Sequence, residues 1–554
     1  MTLDDIKNYL SSQGADAYIV TRSNMFIGQD ILLEENKIQE LTGFTGSAGN
    51  LIVFAKNKAV LLVDGRYDLQ ARYQVNQEQV EVVCTRDSLG SWIHHNLHEP
   101  QKFIYDAWCH SISEVDYWRR SLDWHEFIED TKPLLGSRIS DKKGEIFDLQ
   151  EEFAGVTADE KISYLTKFMS ENHLDGYLLC ESDSVSWLLN LRSDLIPYSR
   201  IMRAYALVKA SGEVSLFTSD FTKLEEEIAD LSNKTIGANY GRTPKKIQFV
   251  FKKAKVNLRN INNPIIDWKA IKNPVEISGF KNCHLRDGVA VCRFLSWLED
   301  NCDETDELSC VSKLHEYRVA QKNYCTDSFA TIAGFASNGA IIHYQPNEDS
   351  NKKLQNGSLL LLDSGAHYLD GTTDITRTIA IGTPTIEMIA DYTQVLKAHI
   401  ALSSQIFPVD TSGAQLDAIT RAVLWNTNKD YAHGTGHGVG YCLNVHEGPQ
   451  SISLKNAVGL KSGMICSIEP GYYYPDHYGI RIENLSFVSE DKEGWLKFTP
   501  LTVAPYDRKL IDKKLLTSSE IAWINNYHQM VLSELEPLLD DKTLAWLKIQ
   551  TAAL

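Results

Sequence analysis

Asp363, Asp374, His437, Glu469 and Glu483 are of the types that hold a pair of divalent metal ions. They lie in the segments LLLLDSGAHYLDGTTDITRT, AHGTGHGVGYCLNVHEGP, SIEPGYYY and GIRIEN. Four carboxylates and an imidazole are hard-to-borderline donors, which suit Mn, Co, Zn or Fe better than a thiolate set would. Two such cations side by side can share one water and ionise it at neutral pH. Metal-assisted hydrolysis is the chemistry this donor set points to.

Each donor must be delivered by its own piece of backbone. Asp370-Gly371 is a two-residue hairpin signal. A ladder folding there puts Asp374 opposite His367 and Asp363 opposite Thr378, with both aspartates on one face. They would still be four residues apart, about 13 Å, so a shared metal calls for a bulge or a bend. The competing reading has one aspartate capping a turn and the other facing solvent. His433-Gly-Thr-Gly-His437-Gly-Val-Gly lets the backbone pass close to a ligand. Its spacing is not that of a G-x-G-x-x-G phosphate loop. With His446 it supplies three histidines in fourteen residues. One can be a ligand while the others face substrate or a developing oxyanion. Glu469 is held extended before Pro470. Period two puts Arg481 on the face of Glu483, as an ordinary surface pair or as a group orienting a carboxylate. His343, in NGAIIHYQP, belongs to none of these segments.

The chain that carries them has 554 residues, enough for two to four domains. Its 43% hydrophobic and 23% charged content is that of a globular protein with ample core. A net charge of −18, without a basic run interleaved with aromatics, argues against nucleic acid. No stretch approaches the roughly 18 apolar residues of a membrane span. MTLDDIKNYLSSQ lacks the basic and apolar regions of a secretory signal. The ten cysteines are scattered singly, as reduced cytoplasmic thiols are.

The first stretch reads as α/β: a helix from Asp4 to Gln13, then strands in AYIV, LIVFA and AVLLVD, with LTGFTGSAG as a tight connection between strands. KNYLSSQGADAYIV is echoed by TKFMSENHLDGYLL, and IQELTGF by VSWLLNL. Two echoes in the same order indicate a duplicated domain with its linker near Gly155 to Thr157. A third region is α+β. Helices are expected over Glu276 to Glu299, Glu304 to Gln321, Glu387 to Ile406 and Gln415 to Asn426. Strands are expected over Ser358 to Asp363, Thr372 to Ile381 and Met464 to Glu469. Helices over Ser519 to Leu538 and Lys542 to Lys548 close the chain over a surface of the domain or of a dimer. The expected domains are 1–155, 156–272 and 273–554.

At these motifs, together with VDGRYDLQA, FATIAGFASNGAIIHYQP and WINNYHQMVLSEL, the chain resembles the pita-bread metallopeptidases, and among them the three-domain aminopeptidases P. The resemblance implies two creatinase-like α/β domains before an α+β pita-bread catalytic domain. It implies that Asp374 and Glu483 bridge two ions, with Asp363 on one and His437 and Glu469 on the other. It further implies that His343, His433 and His446 line the substrate site, with Arg481 supporting it through polar contacts. His343, His446 and Glu469 would act in catalysis, through attack of metal-activated hydroxide on the carbonyl before proline. The implied substrates are peptides with proline in second position, the implied cofactor two Mn ions (Co or Zn being alternatives), and the implied assembly a cytoplasmic homodimer. A prolidase cutting Xaa-Pro dipeptides shares all five ligand types, and a non-catalytic pita-bread binding protein is the alternative from another class. One departure stands out. Relatives tend to carry Asp-x-His-x-Ser-Glu-Tyr where this chain reads TRSNMFIGQDILLEENKIQE, which bears on substrate length and dimer contacts.

Overall fold

The computed structural model describes residues 1–28, 31–130, 142–219 and 221–554. Of the divergent segment, Gln29 and Asp30 lie outside the described residues. Two compact units are present. One comprises Met1–Asp148, Val156–Pro197 and Ile201–Ile265, and the other Leu149–Gly155, Tyr198–Arg200 and Ile266–Leu554.

The first unit contains the same small domain twice. Thr2 and Thr157 each open a helix, Leu3–Gln13 and Ala158–Glu171, through a capping box with Asp5 and Glu160. That device satisfies two backbone donors at once and fixes where the helix starts. Leu3, Ile6 and Leu10 in one helix, and Leu165 and Met169 in the other, fall on the buried stripe. Each helix leads into a largely buried strand, Ala17–Thr21 or Gly176–Leu179. The first sheet runs Val80–Cys84, Ala59–Val63, Asn50–Phe54, Ala17–Thr21, Lys102–Tyr105, Glu126–Glu129. The second runs Val214–Phe217, Tyr205–Lys209, Gly176–Leu179, Thr235–Ala238, Asn257–Asn260. In both, the strand after the capped helix pairs antiparallel on one side and parallel on the other. The five-strand order is the same, and the first copy adds Val80–Cys84 at its edge.

One local expectation is overturned here. LTGFTGSAG does not join two strands. Asn36 caps a helix over Lys37–Thr42 that buries Ile38 and Leu41, and Gly43 ends it at a φ of 79°. The glycine-rich run therefore connects a helix to the strand Asn50–Phe54.

Every named strand pair in the second unit is antiparallel. Asn273 caps the long helix Pro274–Asn301, with proline in its first turn, and Asp306 caps Glu307–Val319. A three-stranded sheet orders Ile332–Phe335, Ser358–Ser364 and Ile375–Ile381. A six-stranded sheet orders Ile406–Pro408, Trp495–Pro500, Asn484–Lys492, Ile465–Ile468, Gly436–Gly438 and Glu447–Ile452. Helices Ile386–Ser403 and Gly413–Trp425 pack on these layers. The closing helix Ser518–Leu535 puts Ile524, Tyr527, Val531 and Leu535 into the same core as Tyr392, Val395 and Leu396. Its apolar face is thus spent within the unit.

Candidate metal centre

The hairpin that carries the two aspartates has a register different from the one its dipeptides suggest. Asp363 pairs with Thr376 and Ser364 with Ile375; beyond a break, His367 pairs with Thr372 and Tyr368 with Gly371. The turn is Leu369-Asp370, so the expected pairings of Asp363 with Thr378 and Asp374 with His367 are corrected by two residues. Thr373 N–H donates to the Ala366 carbonyl at 2.8 Å, which keeps the same register through the break. Asp374 then stands opposite Gly365, two residues from Asp363. The aspartates are diagonal neighbours on one face, about 7–8 Å apart at Cα, and no bulge is needed to bring them together.

Two contacts explain the shift. Asp370 is an ion-pair partner of Arg286 from the long helix, which holds it at the turn's second corner. A Cβ on Gly371 would stand 2.6 Å from Cys283 Sγ, so this glycine serves close helix–strand packing. Gly365 is equally constrained, since a Cβ there would lie 2.0 Å from the Thr373 carbonyl oxygen.

His437 comes from the short strand Gly436–Gly438, and Glu469 directly follows the strand Ile465–Ile468. Ser467 ties the two together: its Oγ accepts the His437 N–H at 2.9 Å and donates to Glu469 Oε1 at 3.1 Å. His437 Nδ1 is 2.9 Å from the Gly438 carbonyl. That contact keeps the proton on Nδ1, so the Nε2 lone pair faces Asp374 Oδ2 at 3.3 Å and Glu469 Oε1 at 3.6 Å. Glu483 accepts Thr376 Oγ1 at 2.8 Å. Donor atoms of Asp374, His437 and Glu483 all lie within 4.8 Å of one another. Asp363 accepts Arg481 Nη2 on Oδ2 at 2.6 Å, while its buried Oδ1 has no hydrogen-bond partner among the described residues.

The electrostatics are those of crowded acids. Burial, then the charges of Asp363 and Glu469, pushes the Asp374 carboxyl well above its ordinary range. Burial, then Asp374, does the same to Glu483, and burial raises Glu469. Acceptors that face acceptors, an unpartnered buried oxygen and a set of N and O donors all fit divalent cations.

The flanking residues are placed as follows. His433 Nε2 is 2.8 Å from the Tyr473 hydroxyl, and its Nδ1 is 3.9 Å from Glu469 Oε2. Arg421 fixes that segment, donating to Asp417 and to the carbonyls of Tyr431 and His433 at 2.7–2.8 Å. The His446 ring packs edge-on against His437, with centroids 4.3 Å apart. Arg481 is buried and donates to Tyr473 Oη at 2.6 Å and Thr376 Oγ1 at 3.2 Å as well as to Asp363. Among the described residues it pairs with Asp363 rather than with Glu483, and it bridges three other segments. His343 is half-buried and adjoins Ile342, whose carbonyl accepts Arg481 Nη1 at 3.4 Å.

Sequence reasoning passed over Thr376, Ser467, Tyr473 and Arg421. Strand parity was a usable signal for two of them, since Thr376 lies two residues after Asp374 and Ser467 two before Glu469. Tyr473 and Arg421 act through long-range contacts and carry no local signal.

Residues 278–490 match metallopeptidase family M24, and 494–554 match the C-terminal region of that peptidase. Residues 3–138 and 137–276 each match a creatinase/prolidase N-terminal domain. The chain is similar to Xaa-Pro aminopeptidase 1 of Dictyostelium discoideum, 35% identical over 99% of this chain and 95% of that one. It is similar to aminopeptidase P1 of Lotus japonicus, 33% identical over 99% of each. Among solved structures it is similar to the X-prolyl aminopeptidase from Caenorhabditis elegans, described as a cytosolic enzyme with a di-nuclear active site. That likeness has a TM-score of 0.91 at 29% identity and covers 98% of this chain and 95% of that one. With relatives of such identity aligned from end to end, the chain belongs to metallopeptidase family M24.

Proposed function

We propose that this chain is a metal-dependent Xaa-Pro aminopeptidase that releases the N-terminal residue from peptides with proline in second position. The observation that carries the reading is the ring of acceptors around His437 Nε2, a geometry that calls for a cation. The names of the relatives aligned over nearly their whole length support the substrate class.

Asp374 and Glu483 would be shared by two ions, Asp363 would serve one, and His437 and Glu469 the other. Arg481 occupies Asp363 Oδ2 and leaves Oδ1 as the donor. When bound, the cations supply a water of lowered pKa and polarise the scissile carbonyl. Glu469 takes the proton of the attacking water on its carboxylate and passes it to the leaving proline nitrogen. His343 and His446 donate to the developing oxyanion. His433, steadied by Tyr473 and Arg421, holds the proline-side residue. Mn is the proposed metal, with Co and Zn as alternatives. A homodimer in the cytoplasm completes the reading, in keeping with the description of the nematode enzyme as cytosolic. No helix among the described residues is long and apolar enough to cross a membrane. The two creatinase-like domains are proposed to end near residues 155 and 272.

Metal-stripped protein, reloaded ion by ion and offered Arg-Pro-Pro and Gly-Pro, tests this. Release of arginine from Arg-Pro-Pro in preference to cleavage of Gly-Pro is the expected result. Preference for the dipeptide would make the chain a prolidase, and no cleavage with any ion would remove the enzyme reading.

A further inference from the structure

Glu447 directly follows His446 and is held between two lysines. Its Oε1 is 2.5 Å from Lys272 Nζ and its Oε2 is 2.9 Å from Lys269 Nζ. The side chains of Glu447, Lys269 and Lys272 are 3%, 2% and 1% exposed. Lys272 Nζ also donates to the Lys269 carbonyl at 2.7 Å, and Lys272 N–H donates to the Gly463 carbonyl at 2.9 Å. Both ammonium groups are therefore anchored just before the capped start of helix Pro274–Asn301.

Taking three charges out of water costs several kcal/mol per ion before their attraction returns any of it. A buried carboxylate between two lysines is thus a poor way to gain stability and a good way to fix a position. What it fixes is close to the centre. Glu447 pairs across the ladder with Gly438, the neighbour of His437, at a point where the register shifts. A Cβ on Gly438 would lie 2.2 Å from the Glu447 carbonyl oxygen, and one on Gly440 would lie 3.0 Å from Glu447 Oε2. Gly438 thus packs against the Glu447 backbone and Gly440 against its carboxylate. His446, directly before Glu447, has its ring 4.3 Å from that of His437.

We propose that Lys269, Lys272 and Glu447 are positioning residues that hold His446 against His437 and so set the substrate-facing side of the centre, an inference that rests on the aminopeptidase reading. Lys269 and Lys272 touch no reacting atom; they act through Glu447 on the next residue. Displacing His446 slightly is enough to slow turnover, because misplacement by about 1 Å costs up to about a hundredfold.

The test is Lys269→Met in the metal-loaded full chain, assayed on Arg-Pro-Pro beside His446→Ala and the double variant. Lys269→Met leaves Glu447 and Lys272 as a one-to-one pair, so folding is retained. Expected is a fall in kcat/KM of about tenfold, at unchanged metal content and melting temperature. Lys269→Arg restores the rate, and the double variant is no slower than His446→Ala alone, because the two changes act on one group. Lys272→Arg, which keeps the charge but moves the carboxylate, gives a second route to the same readout. Full activity in these variants overturns the inference, as do losses that multiply with His446→Ala or that track metal content. Wild-type protein inactive on Arg-Pro-Pro removes the aminopeptidase reading and this inference together. Active wild type beside an unaffected Lys269→Met removes this inference alone.

Discussion

Glu35 and Asp130 in the N-terminal unit and the acids of the candidate centre in the second unit are treated in opposite ways. In the N-terminal unit Glu35 and Asp130 each find their own partners. Glu35 accepts Arg203 Nη1 at 2.7 and 3.0 Å, Asn24 at 2.9 Å and the Leu32 N–H at 3.0 Å. Asp130 accepts the hydroxyls of Tyr9 and Tyr18 at 2.9 and 3.0 Å. In the second unit Asp363, Asp374, Glu469 and Glu483 crowd together, and Arg481 is the arginine that bonds directly to one of them. A satisfied acid serves the fold. A crowd of acids with an unpartnered oxygen and an imidazole lone pair serves a cation.

The sharpest way to break that comparison is to neutralise one acid in each unit. Asp374→Asn should lower peptide hydrolysis by more than about a hundredfold, beyond the range for outer-sphere partners of a metal. The same change should leave the melting temperature of metal-free protein level or higher, because one repelling charge is gone. A clear loss of metal-free stability would make Asp374 a structural residue. Glu35→Ala should do the reverse. It strands Arg203 in the interior and should cost about 3–5 kcal/mol by denaturant unfolding, with metal content of the folded fraction unchanged.

Smaller effects sharpen the contrast. The buried His399, with Nδ1 3.0 Å from the Ile468 carbonyl, is pushed down by burial to about 3. Its folded form therefore resists a proton that the unfolded chain accepts below about 6.5. The unfolded state binds more protons there, so this group's contribution is intact above pH 6.5 and falls as pH drops from 6.5 towards 3. His399→Gln should flatten the acid limb of metal-free stability by about 1.4 kcal/mol per pH unit relative to wild type; parallel curves would contradict it. The smallest change expected is Tyr9→Phe, which removes one of the two hydroxyls on Asp130. About 1 kcal/mol should be lost, without effect on hydrolysis.

Much of this organisation was legible in the chain. The helices expected from Asp4 and Glu276, and the linker expected just before Ala158–Glu171, were readable because helical periodicity is local. The duplicated order of helix and strand was visible for the same reason. The hairpin register was not. Asp370-Gly371 carries a strong turn signal, but Arg286 and Cys283, both on a distant helix, claim those two residues for other work. The glycines of LTGFTGSAG misled in a similar way, since Asn36 had already started a helix ahead of them. Arg481 was readable as a neighbour of Glu483 by strand parity, whereas its partner Asp363 lies 118 residues away. Donor types were thus written in the sequence, and the pairings among them were written in contacts it does not display.

The most direct measurement is a calorimetric titration of metal-stripped wild type with Mn²⁺, run beside Asp374→Asn and Glu483→Gln and followed by assay of the loaded protein on Arg-Pro-Pro. Two ions per chain in wild type, a lost or weakened pair in both variants and arginine release only from the loaded wild type are the expected results. Wild type that takes up no ion, or variants that bind two as tightly as wild type, would contradict a centre built from these four acids and His437.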